Sequence, residues 1–238
     1  MDLSTISNSL LAPVSDALRA AFPARCVLCG VPAPQGWCDP CREALPGLRA
    51  ARCPVCAEEL ASAELCGRCV RRPPAYSRVQ AAASYAFPLD ALIQRMKYAP
   101  DLSLVSPLAA LLVERVRGQP RPDVVIGMPL SAQRLRERGF NQANEIARRM
   151  ARALRLPYMS DACRRERHAT PQAALPLEQR AANVRGAFSV GREVSGRTVA
   201  VIDDVLTTGA SLSELARVLR RAGAREVIGW VLARTPPP

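Results

Sequence analysis

Thr198-Val199-Ala200-Val201-Ile202-Asp203-Asp204-Val205-Leu206-Thr207-Thr208-Gly209-Ala210-Ser211 packs a strand, an acid pair and a turn into one short window. Four apolar residues, Val199 to Ile202, read as a strand buried on both faces. Two carboxylates follow, and then small and hydroxyl-bearing residues lead into a helix marked by Leu212, Leu215, Val218, Leu219 and Ala222. Gly223 is its expected stop. A small-residue loop entering a helix N-terminus aims several backbone N–H groups at one point, with the helix dipole behind them. Such a loop is a phosphate cradle, and the fold it implies is α/β.

A carboxylate repels phosphate, so the natural targets of Asp203 and Asp204 beside the cradle are sugar hydroxyls or a bound cation. A ligand with a 5-phosphate, vicinal hydroxyls and a Mg²⁺-chelated pyrophosphate satisfies the whole arrangement. Val199–Ser211 resembles the phosphoribosyl pyrophosphate (PRPP) motif of type I phosphoribosyltransferases. The plain alternative is a strand–turn–helix of an ordinary α/β domain with two surface acids.

The cysteines carry the second signal. Eight of the nine fall in C-x2-C pairs: Cys26/Cys29, Cys38/Cys41, Cys53/Cys56 and Cys66/Cys69. Two thiolates on a tight knuckle hold one edge of a tetrahedron, and a second knuckle supplies the other. The spacing therefore predicts two structural zinc sites of four thiolates each, closed to water and contributing folding energy to a stretch with little core of its own. Disulfides are the competing reading, disfavoured by the tight pairing and by an N-terminus that lacks the basic start of an export signal. Sequential pairing follows the repeat and gives two tandem ribbons; interleaved pairing stays open. Cys163 stands apart, as a buried or incidental thiol.

With 238 residues the chain has room for one large domain or two smaller ones. Three regions are expected: a helical segment over 1–22, a double zinc ribbon over 23–75 closed by Arg71-Arg72-Pro73-Pro74, and an α/β domain over 76–238. No apolar run is long enough for a membrane span, so a cytoplasmic protein is expected. The formal charge is +12, and its excess lies beyond residue 75, where a polyanionic ligand is the obvious counterpart. Arginine-rich, lysine-poor composition also follows from codon bias, so charge alone is weak evidence for nucleic acid.

Further along, Val79–Phe87 reads as a strand and Asp90–Lys97 as a helix with Leu92, Ile93 and Met96 on one face. Lys97 is the single lysine, either a compact ammonium kept for a task guanidinium cannot do or a leftover surface residue. Ser106-Pro107 looks like a helix start, with Ser as N-cap. Val124–Ile126 is the next strand, and Gly127-Met128-Pro129-Leu130 leaves it in a loop. Arg134, Arg136 and Arg138 then precede a helix that turns Ile146, Ala147, Met150 and Leu154 inward; the arginines suit pyrophosphate or simply a solvated basic face. Residues 164–185 read as a functional loop or lid containing His168, itself no more than a surface histidine. Strands are expected again at Gly186–Val190 and Val227–Leu232.

Several pieces in order resemble the ComF family, the competence-linked phosphoribosyltransferase-like proteins with an N-terminal zinc ribbon. They are Met96-Lys97-Tyr98, the run from Pro129-Leu130 to Arg134-Leu135-Arg136-Glu137-Arg138-Gly139-Phe140-Asn141-Gln142, Thr170-Pro171-Gln172, Asn183-Val184-Arg185-Gly186-Ala187-Phe188 and the Asp203-Asp204 motif. Ser131 stands where the family usually carries a histidine, and Gly127-Met128-Pro129 replaces a P-V-P-like step. The resemblance implies a five-stranded, mainly parallel sheet with helices on both faces and a ligand at the C-terminal strand ends. It implies PRPP contacts from Asp203, Asp204, Val205, Leu206, Thr207, Thr208, Gly209, Ala210 and Ser211, joined by Lys97 and Arg138, with Mg²⁺ carried by the ligand. Asp203 and Asp204 would be the catalytic pair of an active enzyme. Two functions follow: a PRPP-binding protein that handles single-stranded DNA alongside uptake proteins, or a transferase moving ribose 5-phosphate to a nitrogen acceptor, resembling an amidophosphoribosyltransferase. With ten aromatic residues and none grouped near the motif, no acceptor pocket is legible, which favours the first.

Overall fold

The structure, a computed structural model, describes residues 24–47, 50–62, 64–99, 101–166, 184–191 and 193–236. The segment expected to be helical over 1–22, His168, the Thr170-Pro171-Gln172 motif and most of the expected lid lie outside the described residues. Compact packing divides the chain between Ala44 and Leu45. The first unit holds the first cysteine quartet and the short helix α1 (Asp39–Glu43). The second holds everything from Leu45 on, so the second quartet and its short helix α2 (Gly67–Arg71) share a unit with the α/β body.

That body runs β1 (Arg78–Ser84), α3 (Leu89–Tyr98), α4 (Val105–Val116), β2 (Val124–Gly127), α5 (Ala132–Arg138), α6 (Gln142–Leu154), β3 (Cys163–Arg165), β4 (Phe188–Val190), β5 (Thr198–Leu206), α7 (Ala210–Arg221) and β6 (Glu226–Arg234). The main sheet has the order β1-β6-β5-β2 with every pair parallel. The fifth position is a single bridge: Val125 N donates to Pro157 O at 2.9 Å, and Met159 N donates to Val125 O at 3.0 Å, which brings Tyr158 alongside β2. β3 and β4 form a separate antiparallel pair, so the strand expected at Gly186–Val190 lies outside the main sheet.

Side chains alternate across a strand. Val199, Val201, Val227 and Val231 join Leu212, Leu215 and Leu219 of α7 in one buried cluster, which also takes in Cys53, Cys56, Cys66 and Cys69. α4 and α6 pack on the sheet as well, α4 against β1 and β6 and α6 against β2 and β5. Burying both faces explains why the strands read as unbroken apolar runs rather than alternating ones. Gly127 ends β2 under α6, where an added Cβ would sit 2.2 Å from Asn144 Oδ1 and 2.7 Å from its backbone N. This close approach needs glycine.

Two local expectations change. The start at Ser106-Pro107 is not the N-cap: a 3₁₀ turn, Leu102–Leu104, leads into α4, whose N-cap is Leu104, and the capping side chain is Asp101, accepting from Ser103 N at 3.2 Å. Serine preference for the cap loses because Leu104 and Val105 are buried, which extends the helical path by one turn toward the core. Asp203 and Asp204 do not follow the strand but belong to it. β6 stays paired with β5 through Leu206↔Arg234, so the ladder outlasts the apolar run.

Candidate functional site

The acid pair, the loop after β5 and the loop after β2 enclose a cleft of ≈ 310 Å³ at the C-terminal edge of the sheet. This is where open parallel sheets leave a crevice beyond their strand ends. Its walls include Asp203 to Thr207, Gly209 to Ser211, Met128 to Leu130, and four cations: Lys97, Arg134, Arg138 and Arg165. Of the PRPP contacts expected from the sequence, Thr208 is the one that does not face the cleft; its Oγ1 accepts from Ala210 N at 3.3 Å across the start of α7.

Gly209 is the N-cap of α7, with φ +79°, a left-handed conformation that costs a side-chain-bearing residue energy. A Cβ there would come 2.8 Å from Tyr76 Oη. Turn and tight packing together demand glycine, and they set the N-terminus of α7 at the cleft, with Gly209 to Ser211 in its wall.

Consecutive strand residues point to opposite sides, so the two acids have different neighbours. Asp204 Oδ1 pairs with Lys97 Nζ at 2.9 Å, and both are largely buried. Burial works against the Lys97 charge, but Asp204 and then Asp203 outweigh it and hold the ammonium above its ordinary range. Asp203 Oδ1 accepts from the backbone N–H of Asp204 at 2.9 Å. Burial, then the Asp204 charge, raise the Asp203 carboxyl to about 7, with Lys97 pulling the other way. The lone lysine of the chain is thus part of the acid cluster, packed there from α3.

Arg138 ends α5 and stacks on Tyr98, its guanidinium carbon 5.3 Å from the ring centre. Ser131 caps the start of α5 by accepting from Arg134 N at 3.4 Å, and Gly139 (φ +76°) closes it. The sequence reading assigns no element here, although Ser and Gly at the two ends are the usual signs of a short helix. Arg165 reaches the cleft from β3, through a bridge between its own strand and Ser131, and lies over Phe188 at 5.5 Å. Sequence reasoning missed Arg165, and no local pattern marks it: the β3–β4 pairing brings it in.

The cysteines fall into sequential quartets, Cys26/Cys29/Cys38/Cys41 and Cys53/Cys56/Cys66/Cys69, with all ligand atoms of each within 4.8 Å of one another. Cys29 Sγ lies 3.6 Å from Cys38 Sγ, and Cys56 Sγ lies 3.5 Å from Cys66 Sγ. Tetrahedral zinc–thiolate bonds of about 2.3 Å place sulfurs about 3.8 Å apart, so both quartets fit zinc. Backbone amides prepare the sulfurs: Cys66 N donates to Cys53 Sγ and Cys69 N to Cys66 Sγ, each at 3.5 Å. Burial pushes the Cys26 and Cys53 thiols up, but backbone amides of the surrounding knuckles more than offset it, leaving them at about 6 and about 7. Cys41 is pushed up to about 12, chiefly by Cys38 and Cys29. A dication removes this competition for protons. Cys163, in contrast, is buried and pushed up to about 12 by that burial, as fits an inert thiol.

Among the described residues no helix is long and apolar enough to cross a membrane. A family model described as a double zinc ribbon domain matches residues 17–70, and one described as a phosphoribosyl transferase domain matches residues 104–237. The DNA utilization protein YhgH of Escherichia coli O157:H7 is 36% identical over 228 residues, covering 90% of this chain and 98% of that protein. Competence protein F of Haemophilus influenzae is 33% identical over 212 residues, covering 85% of this chain and 92% of its own. Two cysteine quartets that fit zinc and a parallel sheet agree with these likenesses, and the chain belongs to the ComF family.

Proposed function

We propose that the cleft binds PRPP with Mg²⁺ and that the protein acts in the use or uptake of DNA. The loop amides from Thr207 to Ser211 would receive the 5-phosphate, and Asp203 with Asp204 the ribose hydroxyls. Lys97, Arg134, Arg138 and Arg165 would balance the pyrophosphate, with Mg²⁺ held mainly by that group and water. The observation that carries this reading is the juxtaposition of a buried acid pair with a helix-entry cradle, ringed by four cations. Neither half alone would discriminate a sugar phosphate from any other anion. The DNA role rests on the names and extensive likeness of the relatives, and a formal charge of +12 is consistent with it.

Calorimetry with PRPP and Mg²⁺ on the intact zinc-loaded chain tests the site. Heat is expected from the natural protein and none from a double Asp203→Asn, Asp204→Asn variant; equal binding by both would refute the acid assignment. Titration of a labelled single strand across a salt series tests the DNA role. Affinity is expected to fall linearly on a log–log plot as salt rises, and no binding at low salt would remove direct contact with DNA from the proposal.

A further inference from the structure

Arg234 joins two sites that the sequence keeps far apart. It ends β6 and is 2% exposed, so every polar atom of its guanidinium must find a partner inside the protein. Nε donates to Cys56 O, the carbonyl of a zinc-ligand residue, at 3.1 Å. One terminal nitrogen donates to Leu206 O at 3.0 Å and to Thr207 O, the two carbonyls that open the phosphate loop. The other faces Glu58 Oε2 at 3.5 Å, and Glu58 also accepts from Arg68 at 2.8 Å while Arg68 reaches Cys56 Sγ at 3.6 Å. A second contact runs parallel to the first: Tyr76, buried in the cluster that holds the second quartet, lies against Gly209.

We propose that Arg234 is a positioning residue that holds the phosphate loop against the second zinc knuckle, so that ligand binding at the loop and zinc retention by Cys53, Cys56, Cys66 and Cys69 are coupled. Zinc fixes the knuckle, and the knuckle fixes the carbonyl and the Glu58 carboxylate that orient the guanidinium. The guanidinium in turn sets the carbonyls of Leu206 and Thr207, and with them the amides that follow. Without metal the four thiols repel or disperse, the Cys56 carbonyl moves, and a buried cation loses part of its solvation. The loop then no longer presents its amides in one place. Coupling free energy is reciprocal, so a ligand gripped by those amides must also raise the affinity of that quartet for its zinc. The identity of the ligand rests on the PRPP reading; the strut itself does not.

Two measurements on the full-length, zinc-loaded chain separate those claims. The first is amide hydrogen exchange over residues 206–211 in the natural protein and in Arg234→Gln, with Arg234→Lys as a charge-retaining companion. Exchange several-fold faster in Arg234→Gln, with both zincs still bound, is the expected result; unchanged exchange overturns the strut. The second needs no variant at Arg234: equilibrium competition for zinc with a chromophoric chelator, with and without PRPP and Mg²⁺. A Cys29→Ser chain identifies the phase that belongs to the second quartet. That phase is expected to need about fivefold or more chelator with PRPP while the first-quartet phase stays the same. An unchanged second phase, in protein that gives heat with PRPP, overturns the coupling. Absence of any PRPP heat sinks the ligand reading, and exchange at 206–211 then decides the strut alone.

Discussion

Asp203 is a carboxyl buried beside a second carboxyl, and its raised affinity for protons has a thermodynamic consequence. The folded state holds this proton up to about 7, whereas the unfolded chain releases it at about 3.9. The native state therefore binds more protons between those values, and the Asp203 contribution to stability falls as pH rises through that window. Asp203→Asn removes the effect. The variant is expected to melt higher than the natural protein at pH 8 and at nearly the same temperature at pH 4, as followed by thermal unfolding of ligand-free protein. A gain of equal size at both pH values would show that Asp203 is not protonated in the fold. Lys97 follows the same logic with the opposite charge. Its ammonium is stabilised by Asp204 after burial has been overcome, so the pair stands or falls together.

Among the elements, the β5–α7 unit depends on one backbone conformation. Gly209→Ala puts a Cβ in a left-handed residue and against Tyr76 Oη. Left-handed geometry alone costs about 1–2 kcal/mol. The expected outcome is a loss of stability of at least that size in urea unfolding, with weakened PRPP binding because relief of the contact moves the first amides of α7. A variant as stable as the natural protein would mean that the loop has room the structure denies it. β2 and α6 make a comparable demand at Gly127, where the obstacle includes the backbone N of Asn144 and cannot swing aside. Asn141 locks the same corner, as its amide donates to Met128 O at 3.0 Å while its carbonyl accepts from Asn144 N at 3.3 Å. Two of the cleft's walls are thus held by glycine and capping chemistry rather than by apolar burial.

Taken as a whole, the molecule treats its two zinc quartets differently. All four cysteines of the second quartet are buried in the cluster shared with Val199, Leu215 and Val227, while Cys29 of the first is exposed. Removal of zinc from the second site is expected to lower the unfolding temperature of the sheet itself, without a separate early step for the second ribbon. Fluorescence of Trp230, which is buried on β6, reports this in a Trp37→Phe background as chelator is raised. If Trp230 unfolds at one temperature whatever the metal content, the second ribbon is an appendage rather than part of the core.

Chemistry that is local was legible in the order of residues alone. A helix-entry turn needs its glycine in place, and a zinc knuckle needs two cysteines at a fixed offset, so the turn at Gly209 and the C-x2-C pairs were readable as written. Apolar runs likewise marked β2, β5 and β6, because strands buried on both faces leave no alternation to misread. Packing settled what meets what. It kept Asp203 and Asp204 inside β5, because the partner strand continues past the apolar stretch. It brought Arg165 into the cleft from a strand outside the main sheet, paired the knuckles in sequence, and buried Arg234 between the second cysteine quartet and the loop after β5. Sequence spacing cannot encode those meetings, since Cys56 and Arg234 share a hydrogen bond across 178 positions and are joined by the packing of a sheet rather than by any repeat along the chain.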